Sequence, residues 1–218
     1  MTNNAIDNIY EYRPPINGEK QGNFEPITRL VAPEKLQLLT YNSAYEINNN
    51  SKINLELATS KKDKNLFSSI DDSDNTGFAS KVNYKSTNDI LKSKIVTEID
   101  INYMGNNFRS VERVYNTEFN RDWDLTEDIG NYNQLYSKAI IGLNNKKLGS
   151  LDYSFENLNY KNYFNGVRNA LSLISNQKRN LRFNSNSSIM KSEQNNYSSD
   201  FINTNNKIEF HHKSGWAE

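Results

Sequence analysis

Residues 94–103, KIVTEIDINY, decide how the rest of the chain is read. Ile95, Thr97, Ile99, Ile101 and Tyr103 alternate with Lys94, Val96, Glu98, Asp100 and Asn102. A strand sends successive side chains to opposite faces, so this stretch is apolar on one side and largely charged on the other. A helix of this sequence would scatter both kinds of residue around its circumference. The stretch predicts a strand with one greasy and one wet face.

The same period extends in both directions. Upstream, one face reads Leu39, Tyr41, Ser43, Tyr45, Ile47, then Ile53, Leu55, Leu57, Thr59, then Phe78, Ser80, Val82, Tyr84. Downstream it continues with Leu135 to Leu143, Leu151 to Phe155, Val167 to Leu173, Leu181 to Ile189, and Ile202 to Phe210. The later segments are less clean, because Asn169, Ser187 and Asn206 fall on the apolar side. The expected fold is all-β: an antiparallel up-and-down meander of about nine strands in a curved single sheet. Residues 1–33 hold all four prolines without a sustained period and read as an irregular lead-in, with the strand region at 34–218.

Composition removes several functions. Acidic and basic residues balance at 26 each, so the basic excess that phosphate backbones require is missing and nucleic acid is not an expected partner. Without cysteine there is no disulfide, thiol nucleophile or thiolate metal site. Roughly one residue in six is Asn, a polarity that by itself suggests disorder, but the aromatic content and the period-two pattern argue for a fold. No segment approaches the ~20 apolar residues of a membrane helix. The opening MTNNAIDNIYEYRPP lacks the basic and apolar regions of a signal peptide, which suggests a cytoplasmic chain or a piece of something exported.

The connections carry a rhythm of their own. Short polar turns are expected at 48–51, 86–90, 144–147, 175–180 and 211–215, and longer links at 61–76, 104–133, 157–166 and 191–199. Short turns at one end and long loops at the other are the habit of an outer-membrane barrel. In that setting the charged face would line a wet lumen and the apolar face would meet lipid. A half-buried soluble sheet would alternate in the same way, so the period alone leaves both settings open.

Two stretches carry candidate chemistry. In DDSDNTG, residues 71–77, Asp71, Asp72, Asp74 and Asn75 approximate the opening of a calcium loop. Position 12 is Asn83 counted from Asp72, or Val82 counted from Asp71, so the bidentate carboxylate is missing. The competing reading is an outer-loop turn. The 104–133 link gathers Arg109, Arg113, Arg121, Asp122, Trp123 and Asp124 as rim candidates. Paired carboxylates beside a Trp could serve glycoside chemistry, but a charged loop packing on the rim through Phe108, Tyr115, Phe119 and Trp123 is the more economical reading. There is no phosphate loop, nucleophile elbow or H-E-x-x-H, so neither a catalytic residue nor a cofactor is expected.

The segments FEPITRLVAPEKLQLLT (24–40), LELATSKKDKNLFSSIDDSDNTGFASKVNY (55–84) and EFNRDWDL (118–125) resemble large, poorly characterised outer-membrane β-barrel proteins of the Bacteroidota. The similarity spans about residues 25–216 and leaves activity open. It implies an outer-membrane location and an internal segment of a longer barrel, partnered by outer-membrane lipid and by the remaining strands or domains of that chain. The expected role is structural, in transport or in surface assembly, and non-catalytic. The alternative is a soluble secreted β-sandwich binding module, with carbohydrate as a candidate ligand, using the 104–133 loop.

Overall fold

The alternation becomes nine long strands in chain order. They are β1 (Lys35–Asn48), β2 (Ser51–Asp63), β3 (Thr76–Ile90), β4 (Ser93–Met104), β5 (Gln134–Asn145), β6 (Gly149–Tyr160), β7 (Phe164–Ser175), β8 (Leu181–Gln194) and β9 (Tyr197–His212). A three-residue β10 (Gly215–Ala217) begins to pair with the end of β9. The computed structural model describes residues 11–22, 31–70, 72–125, 132–175, 181–194, 197–212 and 215–217. Each strand pairs antiparallel with its sequence neighbours in one sheet, and among the described residues β1 does not meet β9. The fold is an all-β meander in a single open layer.

Register decides what each face carries. One row across β1 to β9 reads Tyr45, Ile53, Tyr84, Ile99, Ala139, Phe155, Asn169, Ile189, Ile202. The adjacent row, one residue away, reads Ala44, Asn54, Asn83, Asp100, Lys138, Glu156, Arg168, Met190, Phe201. A slip of one residue in any strand would exchange these two sets. The apolar face stays uncovered: Leu39 is 71% exposed, Ile141 59% and Ile202 77%. Three cavities, of about 760, 530 and 520 Å³, open on the other, polar face, which is therefore the concave one.

The expected rhythm of the connections changes in detail. At the short-turn end, β3 runs on through Ser86–Ile90, and the turn falls at Leu91–Lys92 with Leu91 at φ 55°. Asn145 Oδ1 accepts the amides of Lys147 and Leu148 and so closes the β5–β6 turn. At the opposite end only two long loops remain, 64–75 and 105–133, whereas the expected links at 157–166 and 191–199 are mostly strand. Asn-rich sequence there reads as loop, yet Asn157 Nδ2 donates to Asn165 Oδ1 at 3.1 Å and to the Gly166 carbonyl at 3.1 Å, which holds the ladder together. Of the lead-in, residues 11–22 contain a tight Asn17–Gly18 turn, both at positive φ, bridged by Ile16 and Glu19.

The outward backbone groups of β1, and those of β9 up to its pairing with β10, have no strand partner among the described residues. Hydrogen exchange on the folded chain is expected to show alternate amides of β1 and of Tyr197–Glu209 exchanging fast while β2–β8 stay protected. Uniform protection of β1 would mean that another strand covers that edge.

Candidate functional site: a loop seated on the polar face

Among the described residues, the buried apolar core lies on the polar side of the sheet and is built by the 105–133 loop. Trp123 (2% exposed) and Leu125 from the loop pack with Leu158, Tyr160, Phe164 and Met190 from the wall. Phe119, Tyr136 and Tyr163 pack against this cluster. The loop carries one helical turn, α1 (Phe119–Asp122), whose end places Trp123 over β7. The ring rests on Gly166, where a Cβ would come within 2.8 Å of Trp123 Cε3 and of the Phe164 ring. A second notch lies at Gly77, where a Cβ would collide with the Asn107–Phe108 backbone. Two glycines on β3 and β7 therefore set where the loop can lie.

Polar contacts complete the seating. Ser60 Oγ of β2 accepts the Arg109 amide at 2.9 Å, and Phe78 O accepts the Gly105 amide at 2.9 Å. Asn133 Oδ1 accepts the Asn106 amide, and Gln134 Nε2 donates to the Tyr115 hydroxyl at 2.7 Å. Tyr115 also stacks on Phe119 with ring centroids 4.0 Å apart. On the far side, Ser199 Oγ of β9 donates to Asp124 Oδ2 at 2.7 Å. One loop thus bridges β2 to β9 across the concave face.

Beneath Trp123 is an ion-pair chain. Glu156, 8% exposed, receives Lys138 Nζ at 3.1 Å, the Tyr136 hydroxyl at 3.2 Å and Arg168 Nη1 at 3.7 Å. The Arg168 guanidinium lies 4.4 Å from the Trp123 ring centroid and donates to the Asp122 carbonyl. A buried carboxylate is tolerated only where cations and donors surround it, and here two cations and a hydroxyl do so. The chain continues along the row, where Asn83 Nδ2 donates to Asp100 Oδ1 at 2.8 Å and Asn54 Nδ2 donates to Asn83 Oδ1 at 3.2 Å. Against the Lys138–Glu156–Arg168 pairs lies a cavity of about 760 Å³, lined also by Asp152, Ser154, Ser172, Asn186 and Asn205 among others.

The rim candidates divide. Asp122, Trp123 and Asp124 meet the wall together, each through a different contact. Arg121 stays at the cavity edge, paired with Glu118 at 2.7 Å and Asp122 at 3.8 Å. Arg109 anchors the loop base through its amide and folds its guanidinium onto the carbonyls of Asn106 and Phe108. Arg113 is exposed on the outer surface of the loop. In the acidic run, Asp72 Oδ1 accepts Asn75 Nδ2 at 2.8 Å, and Asp74 lies 4.0 Å from Lys64 Nζ. Asp71 lies outside the described residues, and among those described no three carboxylates or histidines form a metal-sized group. Asp72–Asp74 make a single 3-10 turn, and Asn75, buried, gives its carbonyl to the Lys62 amide.

The fold and this seated loop define a class: a single-layer antiparallel meander with its longest loop packed into the concave side. Compared with protein-family models, curated proteins and solved structures, the chain matches none.

Valine at Gly166 occupies the space under Trp123 and should lift the loop. In a Trp216→Phe background, Gly166→Val is expected to red-shift the Trp123 emission and to cost about 3 kcal/mol, the scale of losing a buried Trp. An unshifted spectrum would show that the ring does not depend on the notch.

Burial raises the Tyr115 hydroxyl above its ordinary pKa, and the Gln134 hydrogen bond opposes this only in part. The folded chain then keeps that proton where the unfolded chain has lost it, so stability declines as pH rises past about 10. Alkaline titration should therefore loosen the loop in a step that Tyr115→Phe weakens, read by proteolysis between residues 105 and 125.

Proposed function

We propose that this chain is a wall segment of an outer-membrane β-barrel, with its apolar face to lipid and its charged face to the lumen. The role is structural, in transport or in surface assembly, and involves no catalysis. One observation carries the reading: across nine strands none of the described residues packs over the apolar face, while Lys85, Glu98, Lys138, Glu156 and Arg168 are paired on the concave side. In water this arrangement is inverted. A soluble monomer rarely exposes a contiguous apolar patch beyond a few hundred Å², and burying each large side chain is worth about 1.5–3 kcal/mol. Nine strands of such residues stay uncovered only in a solvent that is itself apolar.

Other features agree with this reading. The strands are 12–16 residues long, more than the ~9–11 a tilted strand needs to cross the hydrocarbon. Among the described residues no helix is long and apolar enough to cross a membrane, and a barrel needs none. The resemblance of residues 24–40, 55–84 and 118–125 to Bacteroidota outer-membrane proteins points the same way, with the remaining strands of a longer barrel as partners. The soluble sandwich reading asks for a second sheet over the apolar face and for a loop that presents its Trp. The described residues form one sheet, and Trp123 is buried.

The chain is expected to fold only with detergent or lipid present. Ile141→Arg, in the middle of the apolar face, should lower stability in bilayers by about 2–4 kcal/mol. A monodisperse monomer with a cooperative melt in plain buffer, indifferent to Ile141→Arg, would overturn the membrane reading.

A further inference from the structure

The loop covers the concave face of the open sheet between β2 and β9. Most of its contacts with the wall fall toward the long-loop ends of the strands: Ser60 on β2, Gly77 on β3, Gln134 on β5, Tyr160 on β6, Phe164 on β7 and Ser199 on β9, while Asp122 and Trp123 reach further along the wall to Arg168 of β7 and Met190 of β8. The cavity of about 760 Å³ has Arg121 and Asp122 at its loop side. It extends along the wall past Ser154 and Asn186 to Asp152 and Ser172, which lie near the short turns.

The seating of the loop is that of a core rather than of a latch. A latch is held by one or two exposed contacts that a change of salt or ligand can release. Here the contact buries a Trp and a Leu against four wall residues, drops backbone and ring into two glycine notches, and closes over a carboxylate that already has three partners. Lifting the loop would expose all of these at once, and packed cores open as units rather than by degrees.

We propose that residues 105–125 form a fixed seal over the long-loop mouth, so that solutes reach the chamber beneath it only from the short-turn side. This rests on the membrane reading, in which long loops face outward and short turns face the periplasm. The charges lining the chamber balance in number, with Arg121, Lys138 and Arg168 against Asp122, Asp152 and Glu156. The seal, rather than charge, sets the direction of access.

The chain has no cysteine, so single introduced thiols report position cleanly. The full chain, assembled in the outer membrane of Gram-negative cells, would carry either Ser110→Cys at an exposed loop position or Asn186→Cys in the chamber. The probe is a sulfonated dye maleimide too large for general porins. On intact cells Ser110→Cys should label and Asn186→Cys should stay at background until the outer membrane is permeabilised. Adding Gly166→Val, or Trp123→Ala where the valine variant fails to assemble, should raise Asn186→Cys on intact cells to the Ser110→Cys level. Labelling of Asn186→Cys on intact cells with the native loop overturns the seal. So does continued silence once the loop is displaced, because the barrier would then lie elsewhere. Failure of Ser110→Cys to label on intact cells overturns the membrane reading instead, and the seal with it.

Discussion

Everything in this molecule depends on register. Side chains alternate with period two, and nine strands keep that alternation aligned, so a mostly apolar and a mostly polar row run side by side across the sheet. Lys138 meets Glu156, and Glu156 meets Arg168, only because β5, β6 and β7 pair at this offset. Moved by one residue, these charges would face the side now occupied by Ala139, Phe155 and Asn169. The ion-pair chain, the buried Glu156 and the floor under the loop would all be lost together.

The long loop answers a second constraint. Beyond the paired charges, the polar face also carries Leu158, Tyr160, Phe164 and Met190, which a purely wet surface would not tolerate. The loop supplies Trp123 and Leu125 to cover them. Arg168 joins the two environments, with its guanidinium against Glu156 on one side and over the Trp123 ring on the other. The same side chain thus serves the ion-pair chain and the apolar cluster, which is why the loop and the wall belong to one cooperative unit.

Much of the fold was legible from KIVTEIDINY outward, because period two over ten residues admits one secondary structure. The strand ends at 157–166 and 191–199 were not legible as strand. Asn and Ser there satisfy the rules for turns, and only pairing partners such as Asn157 with Asn165 and Ser192 with Ser199 keep them extended. Among candidate residues, Trp123, Phe119 and Tyr115 could be read as packing on the rim, since large aromatics in a polar loop need a surface. Asp72 and Asn75 could equally be read as turn formers, and their mutual hydrogen bond is that of a turn.

What no linear reading could supply is the other half of each contact. Gly77, Gly166 and Ser60 are unremarkable in sequence, and their meaning comes from loop residues 30 to 49 positions away that need room or a hydrogen bond at that spot. By itself the sequence determined the strands, the two unlike faces and the balance of charge, because these follow from local period and composition. The tertiary structure alone decided which face is concave, that the loop seats inside it, and that no described segment covers the apolar face. Those depend on the relative placement of segments far apart in the chain, which the local preferences of individual residues do not specify.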